Sequence, residues 1–153
     1  HPIIREALRT VGITDPHLEM TSMADIPAGT GLGSSGSFTT ALLKALHAHK
    51  KNLIHPLELA EQACHVEIDL LREAIGKQDQ YIAAYGGQRF IHFCRCGDIQ
   101  VESLCLENGL TRRLNQNLLL FFTGFSRSAG TIASGGPADR TMMLPSCRFR
   151  IGR

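Results

Sequence analysis

Tryptophan is absent from the 153 residues, tyrosine occurs only twice, and the formal charge is a nearly neutral +2. So small a basic excess excludes the strongly positive surface that nucleic acid or an anionic membrane requires. No apolar run approaches the roughly 18 residues of a spanning helix, and no signal-peptide pattern is evident. The five cysteines (64, 94, 96, 105 and 147) are odd in number and irregularly spaced. Cys94 and Cys96, one residue apart, lack the usual zinc spacing, so reduced thiols in a cytoplasmic protein are expected. There is no internal repeat. What remains is ordinary globular composition, 43% hydrophobic and 20% charged, in a chain long enough for one domain with a core of its own.

The most informative stretch runs Asp25-Ile26-Pro27-Ala28-Gly29-Thr30-Gly31-Leu32-Gly33-Ser34-Ser35-Gly36-Ser37 and feeds directly into an apolar-striped segment. Glycines at 29, 31, 33 and 36 let the backbone turn tightly and approach a ligand without Cβ obstruction. The serines fall where the first turn of a helix leaves its N–H groups unpaired and its dipole end positive, a receptacle for phosphate.

Around this loop the periodicities predict a mixture of helices and strands. Ile3, Ile4, Ala7, Leu8 and Val11 share one helical face, followed by a turn over 12–16. Residues 17–24 alternate, with Leu18, Met20 and Ala24 on one side, and read as a strand. Phe38, Ala41, Leu42, Ala45, Leu46 and His49 trace a helix that stops at Lys50-Lys51-Asn52. Pro56 opens a second long helix through Leu57, Ala60, Cys64, Ile68 and Leu71, and a short helical turn over 80–85 ends at Gly86-Gly87. Residues 89–94 and 99–106 form a hairpin around Gly97-Asp98, 118–123 suits a buried strand, and Ser126 caps a last helix. Without strict β-α-β-α alternation, the expected class is α+β.

Gly31-Leu32-Gly33-Ser34-Ser35-Gly36 satisfies the dinucleotide pattern G-x-G-x-x-G literally. Pro27 would interrupt the ladder of the strand that should deliver it, and Glu58, the nearest acidic residue at the ribose-binding distance, begins a helix. The P-loop pattern fails for want of a lysine before Lys44. A serine-capped structural turn is the remaining bland account. Two further groups accompany the loop. Glu67 borders the apolar face of the second long helix, where a carboxylate is costly without a partner. Asp79 lies in the polar insertion Gly76-Lys77-Gln78-Asp79-Gln80-Tyr81, where it either caps the following helix or carries chemistry.

Pro27-x-Gly29-x-Gly31-Leu32-Gly33-Ser34-Ser35 resembles the phosphate-binding signature of the GHMP kinases, the superfamily of galactokinase, homoserine kinase and mevalonate kinase. Glu67 and the Gly-x-x-Asp-Gln segment twelve residues on are similar to that family's magnesium ligand and proposed catalytic base. The wording from Glu67-Ile68-Asp69 to Gly86-Gly87, and residues 118–129, looks like the branch that phosphorylates D-glycero-D-manno-heptose 7-phosphate at its anomeric position. Galactokinase, fucokinase and mevalonate kinase types, and a non-catalytic nucleotide-binding fragment, stay open as alternatives.

The resemblance implies ATP and Mg2+ as cofactors and a sugar phosphate as substrate, while the near-neutral charge and the lack of a spanning run lead us to expect neither nucleic acid nor membrane as partner. Pro27, Gly29, Gly31, Leu32, Gly33, Ser34, Ser35 and Gly36 would hold the nucleotide phosphates, with Ser34 or Ser35 and Glu67 on the metal. Asp79 would act as base, Lys77 would tune it or meet the sugar phosphate, and Arg127 is a weaker phosphate contact. The implied fold is the ribosomal-protein-S5-like N-terminal domain over 1–129, incomplete at its N-terminal side. An atypical, poorly ordered tail is expected over 130–153. Whole family members are roughly twice as long by the same resemblance, so the C-terminal domain is expected to be absent, the fragment inactive alone, and its uncovered apolar surface a route to homo-oligomers.

Overall fold

Pro2 at the first helical position and the i, i+4, i+8 stripe of Ile3, Ala7 and Val11 make α1 (Pro2–Val11), and Gly12 ends it at φ 68°. The N–H groups of Gly12 and Ile13 donate to the carbonyls of Arg9 and Leu8 at 3.1 and 3.0 Å, closing a Schellman motif. This computed structural model describes residues 1–14, 17–24, 32–106, 108–119 and 121. They divide into two units, one over His1–Gly86 and one from Gly87 onward.

In the first unit, α2 (Ser34–His49) is the central element and packs on α1, α3 (Pro56–Cys64) and α4 (Gln78–Tyr85). Its C-terminus repeats the Schellman geometry without glycine. Lys51 takes φ 56°, and the N–H groups of Lys51 and Asn52 donate to Ala48 and His47, both at 2.9 Å. Lys50 then reaches across to donate from Nζ to the Val11 carbonyl at 2.9 Å, so one helix's stop signal satisfies the end of another. The core combines Ile3, Ala7 and Val11 of α1, Leu43 and Leu46 of α2, Leu59 and Ala63 of α3, and Val66.

The second long helix expected from Pro56 to Leu71 does not continue as one α-helix. After Cys64 the chain widens into a π-helical segment, His65–Leu70. The Leu71 N–H donates to the Val66 carbonyl five residues back, and the Glu73 N–H to Glu67 six back. Such wide turns are uncommon and cluster at functional sites.

The second unit holds an antiparallel pair, β1 (Arg89–Phe93) with β2 (Ile99–Ser103), in the register Arg89↔Ser103, Ile91↔Val101 and Phe93↔Ile99. The Cys94 N–H donates to the Asp98 carbonyl at 2.9 Å, and Gly97 supplies φ 98°. This is the hairpin expected at Gly97-Asp98. It is followed by α5 (Asn108–Gln116), which the pattern reading missed because its sequence is polar almost all round.

Two expected strands need correction. Residues 17–24 form no strand: Leu18 packs on the core, while Met20 and Met23 are exposed. Alternation makes a strand only beside a partner that takes up its N–H and C=O groups. Among the described residues the sheet consists of β1 and β2 alone. For the same reason Leu118, Leu119 and Phe121 are irregular and exposed instead of forming a buried strand. The rest of that stretch, Ser126, Arg127 and residues 130–153 lie outside the described residues. The α+β class holds, with five α-helices and two antiparallel strands described.

Leu43 is fully buried and Leu53 fully exposed. Leu43→Ala is therefore expected to destabilise the chain by about 2–5 kcal/mol and Leu53→Ala by less than about 0.5 kcal/mol, read from urea midpoints monitored by far-UV circular dichroism.

Candidate functional site

Gly33 occupies the N-cap of α2 in the left-handed conformation, φ 69° and ψ 28°, and brings no capping side chain. The first turn, Ser34-Ser35-Gly36, also carries no acidic side chain, so its N–H groups and the positive end of the dipole are left for an acceptor from elsewhere. Three neighbours converge on this turn.

The first is Glu67. The π-helical segment turns it wholly inward, to 0% exposure. Its Oε1 accepts a hydrogen bond from Ser35 Oγ, and its Oε2 accepts one from Gln80 Nε2 at 2.7 Å. The sequence placed Glu67 at the border of the apolar face. The structure buries it and supplies the partners that a buried carboxylate demands.

The second is Asp79, in the first turn of α4. A Cβ on Gly33 would stand 3.0 Å from Asp79 Cγ and 3.2–3.3 Å from its carboxylate oxygens. A Cβ on Gly36 would stand 2.9 Å from Asp79 Cβ and 3.2 Å from the Gln80 nitrogen. These two glycines leave the room that the start of α4 occupies.

The third is Gln80, which the sequence reading carried only as part of the Asp-Gln wording. It is 1% exposed, and its Oε1 finds no hydrogen-bond partner among the described residues. The local sequence did not single it out, since Gln78, equally polar and on the other side of Asp79, is exposed.

Lys77 takes a different direction. At the N-cap of α4, it donates from Nζ to Glu61 Oε2 at 3.3 Å, and Glu61 Oε1 accepts from the Tyr81 hydroxyl. Burial, followed by this bond to Glu61, pushes the Tyr81 phenol up from its ordinary value. Leu32 is exposed beside the turn and Ser34 half-buried within it, while Pro27, Gly29 and Gly31 lie outside the described residues.

A separate open pocket of about 490 Å³ lies along α3 and the π-helical segment, with Glu58, Glu61, His65, Asp69 and Lys77 in its walls. Three carboxylates there oppose phosphate, and of the expected site residues it holds Lys77 alone. Cys64, also in its wall, is pushed up to about 12, chiefly by burial.

No group of three or more His, Cys, Asp or Glu side chains capable of holding a metal occurs among the described residues. A hydroxyl and carboxylates at one helix N-terminus do fit a hard cation that completes its shell with phosphate oxygens and water, which is the habit of Mg2+.

The family model of the GHMP kinases N terminal domain matches residues 2–87, nearly the span of the first unit. The chain belongs to the GHMP kinases.

Among curated members of the family, the D-glycero-alpha-D-manno-heptose 7-phosphate kinase of Campylobacter jejuni is 31% identical over 109 residues, 71% of this chain and 32% of that protein. The galactokinase of Pyrococcus furiosus is 28% identical over 129 residues, 84% of this chain and 34% of that protein. The mevalonate kinase of Methanothermobacter thermautotrophicus is 40% identical over 70 residues, 46% of this chain and 23% of that protein. The chain thus spans about a third or less of the length of these GHMP relatives. No solved structure matches. No helix among the described residues is long and apolar enough to cross a membrane.

Two measurements check this geometry. Gly36→Ala is expected to cost about 1–3 kcal/mol, because its methyl must displace the α4 backbone. Gly76→Ala, where a Cβ meets nothing within 4 Å, is expected to be close to neutral in the same urea titration. Iodoacetamide is expected to label exposed Cys96 and Cys105 well before Cys64, whose thiol stays protonated until pH nears about 12. The rate at Cys64, read by peptide mass spectrometry, is therefore expected to stay low at both pH 7 and pH 9.

Proposed function

We propose that this chain is the nucleotide-binding part of a GHMP sugar kinase that transfers the γ-phosphoryl group of ATP to the anomeric hydroxyl of D-glycero-D-manno-heptose 7-phosphate. The observation that carries this reading is the meeting of two carboxylates from different elements at one helix N-terminus whose N-cap is a glycine. Glu67 arrives through Ser35, and Asp79 arrives against Gly33 and Gly36. The Campylobacter relative, a heptose 7-phosphate kinase by name, supports the substrate. The remainder of the domain reading belongs to the same proposal: an incomplete S5-like domain over 1–129, acting in the cytoplasm and completed in whole kinases by a C-terminal domain.

The N–H groups in the first turn of α2 bind and orient the phosphates, and their fixed dipoles need no rearrangement as charge shifts. Glu67 and Ser35 would hold Mg2+, which, when bound, neutralises charge between the β- and γ-phosphates. Asp79 receives the proton of the attacking hydroxyl. As the bond from that oxygen to the γ-phosphorus forms, the bond to the β,γ-bridging oxygen breaks, and ADP departs with the electron pair. Lys77, held on Glu61 at the foot of α4, sets the start of the helix that presents Asp79.

Titration with a fluorescent N-methylanthraniloyl ATP tests the reading. The 153-residue chain is expected to bind it with Mg2+ and more weakly in EDTA. Glu67→Ala is expected to lose more than about tenfold of the Mg2+-dependent affinity, while Asp79→Asn keeps binding. In ADP-release assays of an active whole kinase carrying this segment, Asp79→Asn is expected to abolish turnover, and heptose 7-phosphate to be preferred over galactose and mevalonate. A wild-type chain without Mg2+-dependent nucleotide binding overturns the proposal.

A further inference from the structure

The unusual feature left over from this account is Gln80, a buried amide with one end paired and the other without a partner among the described residues. An ionised carboxylate only accepts hydrogen bonds, so the amide nitrogen must face Glu67 Oε2, 2.7 Å away. Turning the amide over would bring two oxygens together and lose the bond. The other end is therefore Oε1, an acceptor with less than 1 Å² of its surface exposed and no partner among the described residues. What fixes the orientation of the amide is its nitrogen on the carboxylate.

The backbone of the same residue is also constrained. The Gln80 nitrogen lies 3.2 Å from the position of a Cβ on Gly36, so α4 is pressed on the first turn of α2 at this residue. Glu67 is consequently held at both oxygens, by Ser35 from α2 and by Gln80 from α4. The residue before Gln80 in the chain is Asp79.

From this we infer that Gln80 is a positioning residue, which fixes the Glu67 carboxylate toward Ser35 and couples its placement to that of Asp79. The inference rests on the nucleotide- and metal-binding reading of the site. Gln80 acts through Glu67, not by touching the nucleotide. A ligating carboxylate gains affinity when a buried donor removes its freedom to swing, and loss of such an outer partner typically costs about 10- to 100-fold in metal affinity.

The test uses the 153-residue chain, Mg2+ and N-methylanthraniloyl ATP, with far-UV circular dichroism to confirm folding. Gln80→Met keeps the volume and removes the donor. It is expected to weaken Mg2+-dependent nucleotide binding by about 10- to 100-fold, and to change binding in EDTA by less than about twofold. In a Glu67→Ala background the same substitution is expected to add less than about twofold, because the two residues act as one unit. Gln80→Asn, too short to reach Glu67, carries the same expectations should Gln80→Met not fold. Equal Mg2+-dependent affinity in wild type and variant, or losses at 67 and 80 that simply multiply, overturn the inference and leave the kinase reading intact. Absence of Mg2+-dependent binding by the wild type overturns both.

Discussion

The carboxylate of Glu67 has no exposed surface and accepts hydrogen bonds at both oxygens, and the first unit is arranged around that requirement. A carboxylate removed from water must recover its hydration from fixed donors, or it neutralises or expels the helix that carries it. The donors here come from two other elements, Ser35 at the start of α2 and Gln80 in α4. Satisfying one side chain therefore draws together the π-helical segment, the glycine-flanked turn and the polar insertion. These are the three pieces that a phosphoryl-transfer site would need in one place.

Glycine has a double use in this arrangement. The loop's composition suggests backbone freedom and close approach of an anion, and Gly33 does use positive φ. Yet Gly33 and Gly36 also make room for a neighbouring helix, since the Asp79 side chain and the Gln80 backbone take the space of missing methyl groups. The pocket along α3 is walled by Glu58, Glu61 and Asp69, and of the expected site residues it holds Lys77 alone.

Much of the fold was legible where local chemistry suffices. α1, α2 and their ends follow from apolar spacing and from the stop signals at Gly12 and Lys50-Lys51-Asn52, and the hairpin follows from alternation around Gly97-Asp98. The misreadings share a cause. Residues 17–24, and Leu118, Leu119 and Phe121 of the stretch expected over 118–123, belong to strand-like patterns, but a pattern cannot supply the partner strand. The segment 65–70 has α-helical spacing, yet tertiary contacts widen its turn, since no propensity in His-Val-Glu-Ile-Asp-Leu asks for a π-helix. α5 has too little apolar stripe to be seen.

Family membership and the candidates Ser34, Ser35, Glu67 and Asp79 were legible in the sequence alone, because motif spacing is a property of the chain and needs no fold to be read. Only the tertiary structure decided that Glu67 is wholly buried, that Gln80 holds it, and that Lys77 pairs with Glu61. Direction and burial depend on which helices pack together. That choice is made by long-range contacts between α2, α3 and α4, which no local run of residues contains.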